Sequence, residues 1–177
     1  MLKRSLKAKS LTSRGRSSSS KSLVGWREWV ALPFLGIFSI KAKIDTGAKT
    51  STLHAYDVQT VRRQGRDFVR FKVHPVQRST RRVIDCEAPL LEWRQVTDSS
   101  GRRTMRPVVR TTLEIGGVAV SAEVTLIARD AMGFRMLIGR EALRRKWLVD
   151  PSKSFITDGA HKLGKRKSER RKSSEEE

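Results

Sequence analysis

The 177-residue chain is poor in the residues that staple, span or stack. It has one cysteine, Cys86, which excludes an intramolecular disulfide framework. Aromatic residues are 6%, with a single tyrosine. No window approaches 18 consecutive apolar residues, so no transmembrane helix is expected. A basic N-terminus is not followed by an apolar h-region, so no secretory signal is read and the cytoplasm is the expected compartment. Acidic residues are also scarce, at 18 against 38 Lys and Arg, for a formal net charge of +20. Hydrophobic residues, 37%, are enough for one small core.

The charge is uneven. Residues 1–23 are Ser-, Lys- and Arg-rich without an acidic residue, and read as a disordered tail. Their composition also resembles an organelle transit peptide, the alternative to a solvated tail. Residues 159–177 form a second charged tail, also expected to be disordered, ending in three glutamates. About half of the excess, +10, falls on residues 25–158. Residues 24–158 are therefore the expected domain.

Within it the pattern is short strands. An apolar run over 24–32 stops at Pro33. Phe38, Ile40, Ala42 and Ile44 alternate with polar residues, predicting a strand with one buried face. Gln64-Gly65 predicts a hairpin turn, with Val69, Phe71 and Val73 on the return arm. A strand is predicted in 83–96, then a turn at Asp98–Gly101. The clearest hairpin is 111–127, turning at Gly116-Gly117. A short strand is predicted over 134–138, a helix over 140–146, and a last strand at 147–149 or 155–156. Many short strands and frequent turns imply an all-β, closed or sandwiched fold.

The segment Ile44-Asp45-Thr46-Gly47-Ala48 sets a carboxylate at the end of an apolar strand. Gly47 admits a turn that a Cβ would hinder, and the Thr46 hydroxyl can tie it down. By itself this is also ordinary turn chemistry. About ninety residues on, Met136-Leu137-Ile138-Gly139-Arg140-Glu141-Ala142-Leu143 gives an apolar strand, a glycine and a helix.

Together these two segments resemble retroviral-type aspartic peptidases in order and spacing. The longer string Lys43 to Ala55, with Gly25 to Val30, Arg106-Pro107-Val108 and Leu137 to Arg140, is similar to a bacterial retropepsin-like family often labelled "ATP-dependent zinc protease". The resemblance spans about residues 24–158. It implies a retropepsin-like closed barrel with one short C-terminal helix. It implies an aspartic endopeptidase with one Asp-Thr-Gly per chain, hence a homodimer. Asp45, Thr46 and Gly47 would be the catalytic turn. Ala48, Lys49, Arg102, Arg103 and Arg106 would line the substrate cleft, and His54, Gly139 and Arg140 would support it. The flap candidate, residues 94–107, carries four arginines and one glycine where retropepsins have a Gly-rich hairpin. Lys49 stands where retroviral enzymes carry an acidic residue. The arginines suggest a cleft edged with positive charge, suited to acidic peptides. Family members are often encoded beside ATP-grasp glutamate ligases, which points to an acidic or glutamate-modified protein substrate and a functional link to those ligases.

Two other functions compete. One is a non-catalytic module on the same fold that binds an acidic peptide or nucleic acid, although no specific nucleic-acid motif is present. The other is a zinc hydrolase. His54, His74, His161 and Cys86 are not at ligand spacing, and no HExxH or GxxxxGK[ST] occurs, so neither zinc nor ATP is expected as a cofactor.

Overall fold

In the computed structural model, residues 20–98, 100–128 and 133–157 are described. The two expected tails lie outside them, apart from the edge of the first. The described chain is all-β with one turn of α-helix and a 3-10 turn at Pro33–Leu35. Its elements are β1 (Ser22–Gly25), β2 (Arg27–Leu32), β3 (Ile37–Asp45), β4 (Ser51–His54), β5 (Tyr56–Arg63), β6 (Arg66–Val73), β7 (Ile84–Thr97), β8 (Arg103–Ile115), β9 (Val118–Ile127), β10 (Met136–Gly139), α1 (Arg140–Leu143) and β11 (Trp147–Asp150).

Nine strands form one sheet in the order β2-β3-β10-β4-β9-β8-β7-β6-β5. One bridge, Ala31 to Glu114, joins β2 to β8 and makes a ring of six strands. The expected closure is thus made by one backbone bridge and not by a full ladder. β1 and β11 pair in parallel as a separate two-stranded sheet.

Both sequence-predicted hairpins form, by one device. Gln64-Gly65 and Gly116-Gly117 each carry two successive positive φ angles between paired strands. Such two-residue turns match the twist of the strands they join. The core gathers Leu32, Ile40, Leu53, Leu113, Ile115, Leu126, Met136 and Ile138, all 2% exposed or less. In β3 the expected buried face slips: Ile37 is buried and Phe38 is not. The β2–β3 register shifts between Val30 and Leu32, and a one-residue shift reverses the faces.

Other differences are local. The helix predicted over 140–146 is one turn, Arg140–Leu143, because Lys146 N already bonds Leu143 O in a tighter turn. The last strand is Trp147–Asp150, and Phe155-Ile156 is not a strand. The apolar run 24–32 splits into β1 and β2 at Trp26.

The segment 153–157 is pinned to β1 and β2. Trp26 N donates to Lys153 O at 2.9 Å, and Phe155 N donates to Arg27 O at 2.9 Å. Beneath it lies a fully buried carboxylate, Glu28. Its Oε1 accepts Gly25 N at 2.7 Å and Ile156 N at 3.1 Å. Its Oε2 accepts Thr157 Oγ1 at 2.7 Å and Thr157 N at 3.3 Å. A buried acidic group is tolerable only when so many donors replace its water. Cys86, also buried, donates to Leu35 O at 3.3 Å, and burial pushes its thiol up to about 12. It is a core residue and not a reactive thiol.

Replacing Glu28 with Ala strands these donors. The expected cost is about 3 kcal/mol, with a smaller loss for Glu28→Gln, measured by urea unfolding.

Candidate active site

Asp45 ends β3, half-buried, directly after the buried Ile44. Its Oδ1 accepts Gly47 N and Ala48 N, each at 3.2 Å. The carboxylate is thus oriented by the turn that follows it. Thr46 is exposed, and the bonds that tie the turn come from elsewhere. Gly47 does not have a positive φ, and a Cβ there would lie 3.4 Å from Asp45 Oδ1. Its small size keeps the space beside the carboxylate open; no left-handed turn demands it.

The tie is made by β10 and α1. β10 lies between β3, which it parallels, and β4, which it opposes. Its register sets Gly139 beside Asp45. Arg140 N bonds Ala48 O at 2.9 Å, and Arg140 Nη1 bonds Gly47 O at 2.9 Å. Glu141 N bonds Lys49 O at 3.2 Å. Gly139 N donates to the buried Ser51 Oγ at 3.1 Å. A Cβ at Gly139 would fall 2.6 Å from the Thr50 carbonyl carbon and 2.7 Å from Lys49 O. Only glycine allows the two backbones to approach this closely.

Asp45 opens on a cleft of about 650 Å³. Ala48, Lys49 and Arg106 line it, beside Thr50, Thr52, Thr125 and Leu137. Residues 94–98 of the β7–β8 hairpin, the first part of the flap candidate, line the same cleft as Asp45. Arg102 instead lines a neighbouring hollow, with Val58, Met105 and Ala128, that shares Asp98, Arg106 and Ile127 with the cleft. Arg103 is exposed and pairs across the hairpin with Thr97. His54 is buried at the far end of β4, where its N–H bonds Arg135 O.

Sequence reasoning missed Ser51, Thr52 and Thr125, and took Arg94 only as one of the four arginines of the flap candidate. The hydroxyls of Thr52 and Thr125 meet at 3.0 Å, and Thr125 also bonds Ser51 O. β4 is buried at all four positions although two are Ser and Thr and one is His. No period-two alternation marks it, which is why it was not predicted as a strand. Arg94 reaches across from β7: its Nη1 bonds Thr50 Oγ1 at 3.3 Å and its Nη2 bonds Glu123 at 2.8 Å. It also pairs with Glu92. Arg110 takes the other Glu123 oxygen at 2.9 Å. These two guanidiniums hold the Glu123 carboxyl below its usual range. Among the described residues, no three His, Cys, Asp or Glu gather where they could hold a metal. None of the described helices is long and apolar enough to cross a membrane.

The chain matches a family described as RimB-like, "Retropepsin-like aspartic endopeptidase RimB", over residues 23–160. It is similar to curated proteins named "Probable alpha-L-glutamate ligase". One from Shewanella pealeana is 43% identical over 138 residues, 78% of this chain and 30% of the relative. One from Desulfotalea psychrophila is 44% identical over 133 residues, 75% of this chain and 29% of the relative. The chain thus spans about a third or less of the length of these relatives. A crystal structure of Lpg0085 from Legionella pneumophila, described as of unknown function, superposes with a TM-score of 0.65 at 27% identity. That match covers 78% of this chain and 99% of the other.

Two measurements test the tie around Asp45. Gly139→Ala should cost about 2–3 kcal/mol by thermal or urea unfolding, because backbone and not a flexible side chain blocks the methyl. Glu123→Gln tests the Arg94–Glu123–Arg110 link by pH. A depressed folded-state carboxyl stabilises above the unfolded value, near 4.3, and that contribution is lost as pH falls through the folded value. Wild type should therefore exceed Glu123→Gln in stability at pH 7, with the gap closing toward pH 3.

Proposed function

This chain belongs to the RimB-like family of retropepsin-like aspartic endopeptidases, and on that premise we propose that it cleaves peptide bonds as a homodimer. The observation that carries this reading is Asp45. One carboxylate stands at the end of a buried strand, oriented by two backbone N–H groups, at a cleft walled by a hairpin. Aspartic peptidase chemistry needs two carboxylates that share a proton. One chain supplies one, and a two-fold second copy supplies the other. The exposed Thr46-Gly47 edge is where such a copy would meet it.

Oδ1 of Asp45 is occupied by Gly47 and Ala48, which leaves Oδ2 for water or the shared proton. The ionised carboxylate takes a proton from water as the water oxygen adds to the scissile carbonyl. The protonated partner gives its proton to the carbonyl oxygen. Collapse of the tetrahedral species breaks the C–N bond, and the leaving amine takes up a proton. Ala48, Lys49 and Arg106 bind the substrate chain, while Gly139 and Arg140 position the turn.

The substrate we favour is an acidic or glutamate-modified protein. The relatives' ligase name supports it, because a peptidase segment carried in such a protein would meet glutamate-extended chains. The same name supports a functional link between this chain and glutamate ligases. The excess of basic residues supports it too.

Asp45→Asn should retain its fold and lose cleavage of an acidic peptide library by about a thousandfold or more, the scale seen when a unit of catalytic groups is broken. Excess Asp45→Asn should also suppress wild type by forming mixed dimers. The wild-type rate should be bell-shaped in pH. Undiminished cleavage by Asp45→Asn would overturn the reading.

A further inference from the structure

The cleft at Asp45 is not where most of the local positive charge sits. Its lining holds three cations, Lys49, Arg94 and Arg106, against two carboxylates, Asp45 and Asp98. A second hollow, of about 800 Å³, adjoins it and shares Lys49, Thr50 and Arg94. Its floor is β9, through Ala119, Ser121 and Glu123, and its wall is α1 with the turn that follows. Six cations line it against two carboxylates, Glu123 and Glu141.

Most of these groups are already engaged. Arg94 and Arg110 hold Glu123, and Arg144 pairs with Glu141 at 3.4 Å. Lys49, Arg145 and Lys146 have no carboxylate partner among the described residues. Three cations therefore rim a concavity that opens into the reactive cleft. The backbone segments that carry them are held near Asp45. The Lys49 carbonyl accepts the α1 amide Glu141 N, so the loop bearing Lys49 and the turn bearing Arg145 and Lys146 are tied together.

We propose that this second hollow is an anion subsite, in which Lys49, Arg145 and Lys146 hold side-chain carboxylates of an acidic peptide whose backbone passes Asp45. The proposal rests on the peptidase reading of Asp45 and adds the place where acidity is recognised. Acid selectivity then arises beside the reacting bond, where substrate carboxylates do not crowd the dyad. A peptide suits the hollow better than a nucleic acid. Glu123 and Glu141 stand within it and oppose an unbroken row of phosphates, whereas carboxylates on a flexible chain can settle between them.

The test uses the full chain and two labelled peptides that differ only in a run of four glutamates or four glutamines. The variant is Arg145→Gln with Lys146→Gln, both exposed and outside the core. Its preference for the glutamate peptide, as a ratio of kcat/KM values, should fall about tenfold, the scale of two exposed ion pairs. Arg145→Lys with Lys146→Arg should keep it. Anisotropy with the same peptides on an Asp45→Asn background reads binding without turnover and should show the same loss. If wild type cleaves the glutamate peptide and the double Gln variant keeps its preference, the subsite is wrong and the peptidase reading stands. If neither peptide is cleaved but binding weakens in the variant, the subsite stands and the peptidase reading fails. If a thymidine oligonucleotide of matched charge displaces the glutamate peptide equally well, the surface is a general polyanion face and the proposal is overturned.

Discussion

The closest backbone approach at the site is between Gly139 and the Lys49–Thr50 peptide. Everything placed around Asp45 depends on it. Because Gly139 lacks a Cβ, β10 can slide between β3 and β4 until its end lies beside Asp45. Arg140 and Glu141 then meet the carbonyls of Gly47, Ala48 and Lys49. The loop after Asp45 would otherwise leave several backbone groups to solvent and its geometry to chance. Instead its carbonyls are satisfied by the first turn of α1, and its N–H groups by Asp45 itself. Carboxylate and loop position each other, so the site is built as one unit with the sheet.

The same interlock decides how charge is presented. α1 is only one turn long, yet its bonds to the Lys49 loop bring Arg144, Arg145 and Lys146 close to a cleft formed ninety residues earlier in the chain. On the opposite wall Arg94 spans from β7 to Thr50 and Glu123. Arg94 and Arg106, paired across the β7–β8 hairpin, line the cleft at Asp45, whereas Arg102 and Arg103 nearer the turn do not. Charge near the cleft is therefore set by strands and turns with fixed neighbours, while the tip carries charge into solvent.

A second constraint works at the opposite end of the chain. Glu28 collects donors from Gly25, Ile156 and Thr157, and so closes β1, β2 and the segment after β11 upon one buried carboxylate. β2 is also the strand whose single bridge to β8 completes the ring. A narrow closure of that kind offers little stability of its own, and the buried anion contributes the hydrogen bonds that hold β2 in place.

Local pattern was legible wherever it is dictated by neighbours along the chain. The Gly116-Gly117 hairpin needs two positive φ angles, and two glycines announce it. The strand leading to Asp45 and the apolar run before Gly139 announce themselves by period and punctuation, and the order of the two motifs points to the family. What could not be read was any feature created by contact across distance. β4 hid because both its faces are buried, with its polar side chains bonded to β9 and β10. Ile37 displaced Phe38 from the core because a bulge in pairing with β2 shifted the register. Glu28 drew no reading of its own from the sequence, because most of the donors that bury it come from residues 156 and 157. The sequence by itself determined most of the strands, the hairpin turns and the place of Asp45 at a strand end. Only the tertiary structure decided which cations stand near it, because side-chain neighbours are chosen by sheet register and backbone approach, and these depend on residues far apart in the chain.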